Sequence, residues 1–212
     1  MRQLALAGML LTLLHVPAVL AAAGPASSVA GLVARDDSDA LRSQGPKILP
    51  EMVALYTTGD TEQRTRIANL LYRLAWKSPE AAKALMRDVH TQDVGLRIAV
   101  QYALGRVSDQ PAVVDVLLHN MTDDPNPVFR DKAACALAYD QIHLSEAEKV
   151  RLYEGLIGAL ASEEPQVRSI AIQALQIHTG QTKGFLPIAP PEKRRESIAR
   201  WQRWLAEYKA NL

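Results

Sequence analysis

The sequence predicts an all-α protein, a right-handed α-solenoid of about four helical hairpins closed by a C-terminal capping helix. Three observations carry this. The 212 residues include 32 Ala and 28 Leu but only 5% aromatics, so the apolar content is rich in helix formers and poor in the runs that strands prefer. One short pattern recurs four times at a near-constant interval. An amphipathic segment precedes each copy.

The chain opens with Arg2 ahead of an apolar run from Leu4 to Leu14, then Pro17 and a cluster of small residues. This is the pattern of a secretory signal over residues 1–23, with cleavage expected after Ala21 or Ala23. The expected location is therefore periplasmic or secreted. His15 and Pro17 interrupt a run that is already short of the ~20 apolar residues a membrane span needs, so cleavage is preferred over an uncleaved anchor and no stable span is expected after processing. No cysteine lies near the cleavage site, so lipid attachment is not expected there. Residues 24–46 carry Gly-Pro at both ends and a weak helical pattern of Val29, Leu32, Val33, Ala40 and Leu41, which predicts a linker with one short helix.

Residues 47–180 hold the repeats. Each copy is an acid or Asn, three residues, an Arg, then apolar positions three, six and seven residues further on. The copies begin at Asp60, Asp93, Asn126 and Glu164, and their arginines, Arg64, Arg97, Arg130 and Arg168, are 33, 33 and 38 residues apart. Asp60, Asp93 and Asn126 are good helix N-caps, Glu164 a poorer one, and Pro127 and Pro165 fall at the first helical position, where a missing donor does no harm. Ile67, Leu70 and Leu71, then Val100, Ala103 and Leu104, then Ala133, Ala136 and Leu137, then Ala171, Ala174 and Leu175 share one helix face that must be buried. An arginine in the first turn opposes the helix dipole, so an acid from a neighbouring repeat is expected to offset it. The expected first helices span Ile48 to Thr57, Pro79 to His90, Pro111 to Met121 and Glu146 to Ala161. A hairpin of this size cannot cover its own apolar faces, so neighbours must stack.

The Asp-x-x-Val-Arg-x-x-Ala-x-x-Ala-Leu pattern resembles the HEAT repeat over roughly Ile48 to His178, most closely in the third and fourth copies and most loosely in the first. The Trp-Leu-Gly-Tyr pattern of tetratricopeptide repeats is absent. The ending, with Thr179-Gly180-Gln181 and Arg200-Trp201-x-x-Trp204, is similar to that of some exported bacterial HEAT proteins. The resemblance implies architecture more than activity, since such arrays serve as scaffolds, adaptors, enzyme subunits and occasionally enzymes, such as lyases of bilin chromophores or glycosylases of alkylated DNA.

With the copies aligned on their arginines, positions five and nine residues beyond lie off the core stripe and line what the solenoid reading makes a concave face. These are Asn69, Tyr102, Cys135 and Gln173, then Arg73, Arg106, Tyr139 and Ile177. Tyr and Arg are favoured interface anchors, so Arg73, Tyr102, Arg106, Tyr139 and Gln173 are the candidate partner-binding residues. Cys135 is expected to pack among Ala133, Ala134 and Ala136. The histidines lack metal-ligand spacing, and neither a nucleophile elbow nor a phosphate-binding glycine loop occurs, so no catalytic residue, metal or cofactor is expected.

The formal charge of +1 falls to zero once the segment bearing Arg2 is removed, which gives none of the basic excess of a nucleic-acid binder. Residues 181–212 read as a Gly/Pro-rich turn and a capping helix with Ile198, Trp201, Leu205 and Tyr208 along one face. An aromatic platform for a glycan or peptide, Phe185 with Trp201 or Trp204, is the sharper alternative. The expected function is a non-catalytic scaffold or adaptor in the cell envelope that binds another protein.

Overall fold

The computed structural model describes residues 28–212, and the expected signal segment lies outside them. Among the described residues there are eleven α-helices and no strand. They are α1 (Val29–Ala34), α2 (Ser38–Gln44), α3 (Leu49–Thr58), α4 (Thr61–Leu74), α5 (Pro79–Leu85), α6 (Val94–Val107), α7 (Pro111–Asp123), α8 (Pro127–Tyr139), α9 (Glu146–Ala159), α10 (Pro165–Thr179) and α11 (Pro191–Ala210). None is long and apolar enough to cross a membrane.

The order of packing is that of an α-solenoid. Hairpins α3/α4, α5/α6, α7/α8 and α9/α10 follow one another, and their second helices stack in sequence, α4 on α6, α6 on α8 and α8 on α10. The stripe expected to face the core does so: all twelve residues named for it are at most 1% exposed. Their burial supplies the main cohesion between repeats.

The helix starts are where the capping residues put them. Asp60 accepts a hydrogen bond from the Gln63 N–H at 2.8 Å, Asp93 from Leu96 at 2.8 Å and Asn126 from Val128 at 2.9 Å. Glu164 makes no cap bond, and Pro165 occupies the first helical position instead. The first helix of the second hairpin is shorter than the reading to His90. It ends at Leu85, and the chain tightens into turns in which Arg87 N–H and Asp88 N–H donate three residues back, to Ala84 and Leu85.

Residues 28–44 differ from the expected linker. They form two helices, α1 and α2, packed on α3 and α4, with Leu32, Val33 and Leu41 buried. Asp36 adopts a left-handed conformation (φ 58°), and Asp37 caps α2 by accepting from Ala40 N–H at 3.0 Å, which divides one weak apolar pattern between two short helices. Arg42 donates to the carbonyls of Arg73 and Leu74, groups left without partners at the end of α4. This pair covers one end of the stack. At the other end α11 packs on α9, burying Trp201 and Leu205, while the Trp201 indole N–H donates to the Thr182 carbonyl at 3.2 Å.

Candidate functional site

Each repeat arginine reaches forward into the unit that follows it. Arg64 on α4 holds Asp88, beyond α5, at 2.9 and 3.1 Å, and the buried Tyr56 hydroxyl donates to the same carboxylate at 2.6 Å. Arg97 on α6 pairs with Asp124 at the end of α7 and lies 4.2 Å over the Phe129 ring. Arg130 on α8 donates to the Gln166 side chain on α10 at 3.0 and 2.6 Å. Arg168 on α10 donates at 2.8 Å to the carbonyls of Ser162, Glu163 and Pro187, the last in the turn before α11.

The first two arginines meet acids of the next repeat, as the dipole argument expects, but not the cap residues. Asp60, Asp93, Asn126 and Glu164 stay at their helix starts, and the acids that meet the arginines are Asp88 and Asp124. Sequence reasoning missed both. Asp88 precedes the following cap residue by five positions and Asp124 by two, so no fixed offset marks them.

The candidate anchors divide in two. Arg73 pairs with Asp36 in the α1–α2 turn. Arg106 binds Asp140 at 2.7 Å and lies 4.2 Å over the ring of Tyr72, whose centroid is 6.0 Å from that of Tyr102. Tyr102 is half-buried beside Cys135, and its hydroxyl is pushed up to about 12, first by burial and then by that thiol. These three side chains therefore bind neighbouring helices together. Tyr72 belongs to the same stack and went unmarked because it sits one residue before the aligned position of Arg73. Tyr139 and Gln173 remain solvent-facing, Tyr139 at 59% exposure, and Ile177 beside them is 38% exposed. Together with Cys135, Ala138 and Ile170 they line a hollow of about 160 Å³ between α8 and α10.

A wider concavity of about 590 Å³ lies over α4, where Asp36, Glu62, Arg66, Asn69, Arg73 and Asp93 line it. The charged side chains of this layer gather over α4, while Asp131 is the charged residue that lines the hollow between α8 and α10. Cys135 is half-buried, and burial followed by the charge of Asp131 raises its thiol pKa. The structure also brings His90 and His119 within 6.4 Å of each other, although the sequence scatters them. Among the described residues no group of three His, Cys, Asp or Glu is placed to hold a metal. Phe185 and Trp201, at 3% and 0% exposure, are core residues of the cap and cannot present the glycan or peptide platform expected as an alternative.

The stacking order and the forward-reaching arginines describe a repeat family, and residues 49–138 match the family model for HEAT repeats. That segment consists of HEAT repeats. The matched segment comprises the hairpins from α3 to α8 and includes the first copy, the loosest by eye. The fourth hairpin, α9/α10, lies beyond the match yet continues the HEAT stack by the same contacts. No curated protein and no solved structure matches the chain. HEAT repeats commonly mediate contacts between proteins, which makes the solvent-facing side of the second-helix layer the candidate interface.

Proposed function

We propose that this protein is a non-catalytic scaffold that docks a protein partner across the second-helix layer, with Tyr139, Gln173 and Ile177 as the contact centre. The observation that carries the reading is the hollow between α8 and α10. There an aromatic and an aliphatic side chain stand exposed over a small depression of mixed lining, Ala138 and Ile170 beside Asp131 and Gln173, on helices fixed by buried neighbours. An anchor on a rigid helix loses little conformational freedom on binding, and aromatic side chains over pockets dominate interface energetics. The polar concavity around Asn69 and Arg66 would extend the contact as its rim. We further propose that the partner is met after export, in the periplasm or outside the cell, on the strength of the residue 1–23 pattern.

Site-specific photo-crosslinking tests the docking face. A photoreactive residue at position 139 or 177 is expected to give a discrete protein adduct that Gln173→Arg diminishes, whereas the same probe at Glu51, on α3, gives none. Equal labelling from all three positions, or no adduct from 139 and 177, overturns the proposal.

A further inference from the structure

The electrostatics of the chain are lopsided in a way its neutral total conceals. Residues 181–212 carry seven Lys/Arg against three Asp/Glu, a net +4, while residues 28–180 carry sixteen against twenty, a net −4. Pairing sharpens the contrast. Of the twelve ion pairs among the described residues, only Lys193–Glu196 and Lys209–Glu154 use a cation of the last segment. Glu154 and Glu146, both on α9, engage Lys209 and Tyr208, so the last turn of α11 is neutralised. Lys183, Arg194, Arg195, Arg200 and Arg203 meet no carboxylate.

Beside these cations the chain exposes aliphatic side chains. Leu186 and Ile188 are 63% and 89% exposed, the latter the most exposed large apolar residue described. They are not on a loose loop. Phe185 is buried, Ser197 donates to the Gly184 carbonyl at 3.0 Å, Arg168 donates to the Pro187 carbonyl at 2.8 Å, and Ala189 N–H closes the turn onto Leu186 at 3.1 Å. Lys183 precedes the turn and offers its carbonyl to Arg200 at 2.8 Å, and Lys193 to Arg195 follow it in the first turn of α11. A turn fixed at four points thus holds two aliphatic side chains in water between Lys183 and the cations that open α11, of which Arg194 and Arg195 meet no carboxylate.

We propose that this C-terminal cap is a peripheral docking surface for an anionic phospholipid bilayer. The Leu186-Pro187-Ile188 turn enters the interface, and Arg195, Arg200, Arg203 and Lys193 lie against the headgroups. Charge complementarity names the surface. Long-range attraction brings the +4 end toward it and turns the −4 end away. The exposed aliphatics favour lipid over nucleic acid, whose phosphates would leave Leu186 and Ile188 in water. A basic patch joined to a few apolar side chains is the combination that reversible membrane binding requires. The inference is independent of the α8–α10 interface.

The test is flotation of the full chain with vesicles of phosphatidylcholine alone or mixed with phosphatidylglycerol. The variants are Arg195→Glu/Arg203→Glu and Leu186→Ser/Ile188→Ser, all at exposed positions. Residues 1–23 are common to every protein and cancel in the comparison. The intact surface should prefer the anionic vesicles by about tenfold or more. Charge reversal should abolish that preference, and the serine pair should cut anionic-vesicle binding severalfold with the circular dichroism spectrum unchanged. Equal partitioning into both vesicles, a preference that survives charge reversal, or anionic binding indifferent to Leu186 and Ile188 overturns the proposal. So does an oligonucleotide that binds as tightly as the vesicles whether or not the two aliphatics are present.

Discussion

Arg97 and Asp124 form an ion pair whose side chains are only 5% and 4% exposed, joining the first turn of α6 to the end of α7 in the next hairpin. The pair is tied in on both sides. Phe129 lies under the guanidinium at 4.2 Å, and Asp124 accepts the Asn126 N–H at 2.9 Å ahead of α8. Removing one partner strands a buried charge, so Asp124→Ala should lower stability by about 3–5 kcal/mol in urea unfolding. Arg97→Met/Asp124→Ala should regain a substantial part of that loss, because no charge is then left unpaired. A double variant as unstable as the single one would show that packing, not charge pairing, holds this junction.

Gly105 sits inside α6, where alanine favours an isolated helix by about 1 kcal/mol. The structure reverses that preference. A Cβ here would lie 3.0 Å from the Asp140 Cβ and 3.1 Å from its backbone carbonyl carbon, and backbone cannot yield as a flexible side chain can. That close approach lets Asp140 meet Arg106. Gly105→Ala should therefore destabilise by about 1–3 kcal/mol. Thermal unfolding decides it, and a raised midpoint would mean that the α8–α9 connection moves freely off α6.

The repeat stripe, the caps at Asp60, Asp93 and Asn126 and the capping role of Trp201 were legible because each rests on local spacing. Helical periodicity decides which residues of one helix point inward, and a cap bond spans two or three residues. The candidate site was legible only in part, since occupancy of an exposed position depends on what the neighbouring helix offers. Asp36 reaches Arg73 across 37 residues and Asp140 reaches Arg106 across 34, so two anchors that look free in sequence are already engaged. Tyr139 and Gln173 stayed solvent-facing, at the lining of the hollow between α8 and α10. The α1–α2 pair was hidden by its brevity: six- and seven-residue helices span too few turns to show a stripe.

Cys135 should react slowly. Burial, then the negative charge of Asp131, keeps its thiol above the ordinary cysteine pKa, so less thiolate is present at mildly alkaline pH. Iodoacetamide should alkylate the folded protein at pH 8 several times more slowly than the unfolded chain, and Asp131→Asn should speed the folded reaction. A folded-state rate equal to that in denaturant would place the thiol in open solvent.

His178 makes stability depend on acid. Its ring nitrogen lies 2.8 Å from the Leu137 carbonyl and its ring packs edge-on to Tyr153 at 5.9 Å, and burial lowers its pKa below the ordinary histidine value of about 6.5. The folded state thus prefers the neutral ring. Its contribution is complete above the unfolded pKa and is lost as pH falls from about 6.5 toward the lower folded value. The drop in unfolding temperature between pH 7.5 and 5.5 should be smaller for His178→Gln than for the unaltered chain. Identical drops would assign the acid sensitivity to other groups, His90 first among them, since its pKa is also lowered.

Trp201 closes the far end of the stack, and its loss should be felt directionally. It is fully buried, with Trp204 edge-on at 5.3 Å, and its indole bonds the turn that Arg168 also holds. Trp201→Ala should cost about 3–5 kcal/mol, the range for deleting a large core aromatic, whereas half-buried Trp204 should cost less. In a stacked array each unit is supported by its neighbours, so an opened cap exposes the last hairpin first and the damage fades toward the other end. Amide hydrogen exchange on Trp201→Ala should show protection falling most in α9 and α10 and little in α4 and α6. A uniform loss along all four hairpins would mean that the array unfolds as one cooperative body, and that Trp201 acts as a core residue of the whole instead of a terminal cap.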